Sequence, residues 1–97
     1  MINYRLTKQA FRQLKKLQQS DINTARHIKS AIISLSEGNI EGEALQGYSD
    51  FKKIRVGKYR LIYTVLDKEL LIAIIEKRET VYKTFKHLFK NSNFIDI

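Results

Sequence analysis

The chain has 97 residues, with 18 Lys plus Arg against 10 Asp plus Glu and a net charge of +8. That length supports one domain rather than two, and such a domain buries roughly two-thirds of its unfolded surface. The absence of cysteine excludes disulfides and thiolate metal centres. The opening MINYRLTKQAFRQ lacks a long apolar run, so a signal peptide or membrane span is not expected and a cytoplasmic chain is.

Met1 to Leu6 alternates, with Ile2, Tyr4 and Leu6 on one side, which is the period of a half-buried strand. Thr7 offers an N-cap hydroxyl to a first helix whose apolar stripe is Phe11, Leu14 and Leu17. A short link, Gln18-Gln19-Ser20, leads to a second helix capped by Ser20 or Asp21. Its stripe is Ile22, Ala25, Ile28, Ile32 and Leu35, and Gly38 is placed to end it. The connector from Asn39 to Asp50 holds two glycines and several acids and reads as loop, with Leu45 plugging the core edge.

Phe51 to Val56 begins a sheet, with Lys53 and Arg55 on one face and Ile54 and Val56 on the other. Gly57-Lys58 forms a tight turn. Tyr59 to Leu66 is apolar on both sides and reads as central. Asp67-Lys68 turns into Glu69–Ile75, and Glu76-Lys77-Arg78 closes the meander. Thr80 can cap a last helix carrying Val81, Phe85, Leu88 and Phe89. Residues 91–97, with Phe94, Ile95 and Ile97, form an apolar tail without an assigned place. The expectation is one α+β domain over residues 1–97: an N-terminal strand, a helical hairpin, a three-stranded antiparallel meander and a C-terminal helix.

Charge carries the functional signal. Glu37, Glu41, Glu43 and Asp50 gather in the connector, leaving the first third and the sheet strongly positive, which points to a polyanion partner. Neither helix of the hairpin pairs its basic face with a bulky apolar one, so nucleic acid ranks ahead of a membrane. There is no Gly-rich phosphate loop. His27 and His87 have no neighbours at metal-ligand spacing, and both read as solvated. What remains is Lys53 and Arg55 on one strand face, Arg60 across the turn, Arg78 at a strand end and Tyr82 about one helical turn later. Spacing alone slightly favours ordinary strand-end charges and a core-edge aromatic over a site.

The run KIRVGKYRLIYTV followed by KRETVY, with the opening YRLTKQAFRQLKKL, resembles the RelE branch of the RelE/ParE toxin superfamily, over residues 2 to 88. The resemblance implies a toxin of a type II toxin–antitoxin pair that cleaves mRNA in the ribosomal A site without metal or cofactor. It implies catalytic roles for Lys53, Arg55, Arg60, Arg78 and Tyr82, with Lys52, Lys58 and Lys77 binding RNA. One family lysine position is Arg55 here and the turn before Tyr59 looks shorter, so the alignment could also shift to Lys52 or Lys58. The base role falls to Lys53 acting as a neutral amine, because a guanidinium is too basic. The implied partners are mRNA on the ribosome and an acidic antitoxin, in a hetero-oligomer. Two other readings stay open: a ParE-like inhibitor of gyrase, and a decayed toxin that only binds its antitoxin or RNA.

Overall fold

A computed structural model describes residues 2–91. Its elements are β1 (Tyr4–Leu6), α1 (Lys8–Ser20), α2 (Ile22–Ser36), β2 (Glu43–Leu45), β3 (Tyr48–Val56), β4 (Tyr59–Leu66), β5 (Glu69–Lys77) and α3 (Arg78–Asn91). The strands form one sheet in the order β1-β5-β4-β3-β2. β1 runs parallel to β5, and the other neighbours are antiparallel. The α+β reading and the meander are as expected, and β4 lies at the centre of the sheet.

The sheet buries both faces, and each has its own core. The α1–α2 hairpin covers one face, where Leu14, Leu17, Ile28 and Ile32 meet Leu61, Tyr63 and Ile72. On the other face, α3 lays Val81 and Phe85 against Phe51, Ile62 and Ile74. Strand alternation sorts these residues: neighbours in sequence such as Leu61 and Ile62 serve opposite cores.

Thr7 joins the sheet to the first helix. Its hydroxyl accepts from the Ala10 N–H at 3.1 Å, as the N-cap pattern predicts, and donates to the Ala73 carbonyl at 2.6 Å. Ala73 is the extra residue of a bulge, lying between the pairs Ile62↔Ile74 and Tyr63↔Ile72. A bulge takes a residue out of the ladder, and Thr7, only 2 % exposed, supplies a donor there. We expect Thr7→Ala to lower unfolding stability by about 2–3 kcal/mol, from the lost cap and the lost buried donor. Thr7→Ser should recover most of this loss. Urea unfolding of both variants checks the expectation.

Several boundaries differ from the sequence reading. The α1 stripe is Ala10, Leu14 and Leu17, whereas Phe11 is 58 % exposed. The seam follows the i, i+4, i+7 row, and Phe11 lies about 100° round from Ala10. Ile22, in the first turn of α2, is likewise exposed. The link between the helices is Asp21 alone, because Ser20 stays in α1 with its hydroxyl bonded to the Lys16 carbonyl. Asp21 ends one helix with its N–H on the Leu17 carbonyl and caps the next with its carboxylate on the Thr24 N–H and hydroxyl. Those two hydrogen bonds from Thr24 hold the Asp21 carboxyl below the usual carboxylate range.

The connector is not wholly loop. It contains β2 and the first residues of β3. Leu45 is 5 % exposed and does close the core edge. β4 is buried only through Thr64, and Val65 and Leu66 are exposed at its far end. α3 starts at Arg78, so Thr80 is not its cap. Instead the Thr80 hydroxyl donates to Glu76 Oε1 at 2.6 Å. Phe94, Ile95 and Ile97 lie outside the described residues.

Candidate functional site

A groove opens on the α3 face of the sheet, beyond the first turn of that helix. The ladder register builds its floor. Arg55 on β3 stands directly across from Arg60 on β4, and Lys53, two residues earlier, shares their face. The Arg78 N–H bonds to the Lys58 carbonyl at 3.3 Å, which ties the start of α3 to the β3–β4 turn. Tyr82 lies one turn further along α3, and the Lys53 ammonium stands 5.5 Å from the centroid of its ring, within cation–π reach. The cavity is about 690 Å³ and is lined by all five of these residues together with Glu41, Gly42, Glu43 and Ile54.

Glu76 fixes the helix wall. Its carboxylate, 8 % exposed, accepts from the Thr80 hydroxyl at 2.6 Å, the Thr84 hydroxyl at 3.0 Å and the Gln9 amide at 3.5 Å. Two of these donors belong to the first two turns of α3, so this buried acid orients the turns that carry Arg78 and Tyr82. A carboxylate in this position also favours a helix N-terminus electrostatically.

The predicted cluster of Lys53, Arg55, Arg60, Arg78 and Tyr82 is brought together. The three flanking lysines are not. Lys52 points to the hairpin face, as its cross-strand partner Tyr63 does, and forms an ion pair with Glu41. Lys58 sits in the turn outside the groove lining. Lys77 lines a different depression with Gln13, Tyr59 and Glu79. The strand period decides this: one step along β3 or β5 moves a side chain to the other face.

The groove also holds residues that the sequence reading passed over. Glu43 on β2 stands directly across from Lys53 on β3, so a carboxylate faces the ammonium on the same side of the sheet. Gly42 lies flat against β3. Its N–H donates to the Tyr63 hydroxyl at 2.7 Å, and an added Cβ would lie 2.5 Å from the Lys53 carbonyl oxygen. The available signal was a short alternation, Glu43-Ala44-Leu45, between glycines at 42 and 47. Three residues with one apolar side chain are too few to declare a strand.

The Glu41–Lys52 ion pair fastens the segment just before Gly42. The hydrogen bond to Lys52 lowers the Glu41 pKa, and the same bond raises that of Lys52. The sign follows from both shifts. The clasp is complete at neutral pH, is lost as pH falls through the depressed Glu41 value, and is lost again above the raised Lys52 value.

The electrostatic state of the groove is unusual. Among the described residues the salt bridges are Arg5–Glu69 and Lys52–Glu41, and neither involves a groove cation. Arg55 and Arg60 donate only to nearby carbonyls, Gly57 O at 3.3 Å and Tyr59 O at 3.4 Å. Four cations and two carboxylates thus line one cavity. The cations outnumber the carboxylates, and none of the four cations is in a salt bridge among the described residues; such an excess of like charge raises the energy of the folded state, and an anion placed between the cations relieves it. Guanidinium forks match phosphate oxygens in geometry as well as in charge. Among the described residues no group of three His, Cys, Asp or Glu side chains is placed to hold a metal ion.

Comparison with known proteins agrees with this architecture. The family described as the ParE toxin of type II toxin–antitoxin systems, parDE, matches residues 4–82. The YoeB dimer from Staphylococcus aureus is 28% identical over 79% of this chain and 97% of its own, with a TM-score of 0.69. YoeB in the heterotetrameric YoeB–YefM toxin–antitoxin complex from the same organism is also 28% identical, covering 80% of this chain and 98% of that one, TM-score 0.67. The isolated RelE toxin of Escherichia coli shares the fold, with 23% identity, 91% and 99% coverage and a TM-score of 0.68. No curated protein matches the chain at comparable significance. The strand, helical hairpin, meander and final helix, taken with a family match over most of the length, place the chain in the ParE toxin family of type II toxin–antitoxin systems, on the RelE-like branch of the RelE/ParE superfamily.

Proposed function

We propose that the groove binds and cleaves RNA, and that the chain is a toxin cutting mRNA in the ribosomal A site. The observation that carries this reading is the convergence on a single cavity of Lys53, Arg55, Arg60 and Arg78, four cations without salt-bridge partners among the described residues, together with Tyr82. In RNA cleavage the 2′-OH loses its proton and attacks the adjacent phosphorus, and the 5′ oxygen leaves. Negative charge grows on the phosphoryl oxygens, so guanidinium groups held there stabilise the transition state more than the ground state. Arg60 and Arg55 take these oxygens, Arg78 supports the leaving 5′ oxygen, and Tyr82 stacks on a base.

Two groups can receive the 2′-OH proton: Lys53 as the neutral amine, and Glu43 across the strand from it. A carboxylate is already ionised near neutrality, whereas an amine must first lose a proton. The same cavity therefore supports a metal-free reaction by either route.

YoeB and RelE are known in complexes with the antitoxins YefM and RelB, which supports a cognate antitoxin here. The net charge of +8 favours an acidic one, and the exposed Phe11, Ile22 and Ile33 on the hairpin offer apolar anchors. The family match to ParE supports a second reading, inhibition of gyrase. That activity has no need of a cationic rim.

Induction of the wild-type chain and Arg78→Ala side by side, with mapping of RNA 5′ ends, tests the proposal. New ends within translated codons are expected for the wild type and are expected to vanish in Arg78→Ala. Growth arrest by the wild type with intact mRNA and blocked DNA supercoiling overturns it in favour of the gyrase reading.

A further inference from the structure

Lys53 and Tyr82 line two cavities, one on each side of them. The first is the cationic groove. The second, about 490 Å³, continues along α3, where Gln46, Tyr48, Phe85 and Lys86 join Lys53 and Tyr82 in its lining. Its volume falls within the roughly 300–1,000 Å³ typical of small-molecule sites. Lys86 follows Tyr82 by four residues, as Tyr82 follows Arg78, so all three lie on one face of α3. They span about 12 Å of helix axis. Cation, aromatic, cation therefore repeat along one wall, with Lys53 facing the middle member.

The chemistry of the second cavity differs from that of the first. The Tyr48 ring meets Phe85 edge-on at 4.9 Å between centroids, which fixes its plane. Phe85 is buried and supplies an apolar floor. Gln46 brings an amide able to donate and accept, and Lys86 a single exposed ammonium. An aromatic and apolar floor with one amide at its edge and a cation on either side, Lys53 and Lys86, suits a base and the phosphates that flank it. Single-stranded nucleic acid is held by this combination of base stacking and backbone charge.

We infer that this cavity is a second nucleotide subsite, taking the nucleotide next to the scissile phosphate of single-stranded RNA, with Lys86 on its outer phosphate and Tyr48 against its base. The inference rests on the RNA-cleaving reading of the groove. Lys53 and Tyr82 then stand at the junction between the two nucleotides.

The test uses fluorescent 2′-O-methyl oligonucleotides of one to four residues, which cannot cleave themselves, with affinity read by anisotropy across a salt series. For the wild type, the added nucleotide that reaches Lys86 should tighten binding about tenfold, within the roughly 5–150-fold expected of one stacked base. In Lys86→Ala that gain should shrink several-fold, and the slope of log affinity against log salt should fall by about 0.7 for one lost phosphate contact. Lys86 is exposed, and thermal melting checks that the variant folds. An unchanged gain and slope in Lys86→Ala overturns the subsite alone. Full RNA affinity in Lys86→Ala together with lost binding of a polyglutamate peptide overturns it too, and reassigns the cavity to an acidic protein partner. A wild type that neither binds the oligonucleotides nor cleaves RNA overturns both this inference and the reading beneath it.

Discussion

Arg60→Ala is expected to slow RNA cleavage about 10²–10³-fold, the usual cost of removing one preorganised donor to a developing oxyanion. Stability should not fall with it. Arg60 makes one long bond to a neighbouring carbonyl and forms no salt bridge among the described residues; the Glu76 carboxylate across the ladder from it keeps its Thr80 and Thr84 donors without it, and its loss thins the cluster of cations in the groove. Folding stability is therefore expected to stay within about 0.5 kcal/mol of the wild type, or to rise. A residue kept for packing would give the opposite pattern. Arg60→Lys should restore part of the rate, because it returns the charge without the fork that grips two oxygens. Single-turnover cleavage and urea unfolding of the three proteins decide the matter. Loss of stability in proportion to loss of rate would show that Arg60 holds up the sheet rather than the phosphate.

Gly42→Ala is expected to abolish growth arrest without replacing any charged or aromatic side chain of the groove. The added methyl would stand 2.5 Å from the Lys53 carbonyl oxygen and 2.9 Å from both Ile54 Cγ2 and the Tyr63 hydroxyl. The carbonyl belongs to the backbone of β3 and cannot swing aside. The segment ahead of β2 must lift instead, which breaks the Gly42–Tyr63 hydrogen bond and carries Glu43 away from Lys53. Overpacking of this kind costs about 1–3 kcal/mol, and because β2 is a three-residue edge strand that gives the α3 core only Leu45, the rest of both cores stays intact. Amide exchange should speed up from Glu43 to Leu45 and remain slow in β4 and β5. Tyr63→Phe combined with Gly42→Ala should stay inactive, since it removes one clash and leaves the backbone one. Full arrest by Gly42→Ala would mean that the placement of β2 does not matter to function.

The sequence made most of this architecture readable because strand and helix periods are strong signals when several apolar residues repeat them. The α2 stripe and the near-continuous apolar β5 are examples. The face shared by Lys53 and Arg55 was readable for the same reason, and so was Arg60, since a two-residue turn returns β4 beside β3. What escaped detection was short or set by distant contacts. β2 has three residues, and its ladder with the distant β3, with Leu45 docked in the α3 core, makes it a strand. Lys52 and Lys77 carry the same charge as Lys53 and Arg78, but their side of the sheet depends on a register that charge does not reveal. The exposure of Phe11 is decided by which row of α1 meets α2, and no local spacing fixes that choice. Glu43 reads in the sequence only as one of the connector acids, because an acid in a glycine-flanked stretch shows no role in a site until a strand partner stands opposite it.

β1 lies against β5, joining residues 4–6 to residues 70–72, and the groove draws its walls from residues 41 to 82. During synthesis the helical hairpin can form early, but the first strand has no neighbour until the last strand has left the exit tunnel. Arg78 and Tyr82 come later still. A growing polypeptide of this design thus carries no finished groove until Tyr82 has emerged and its helix has settled against the sheet.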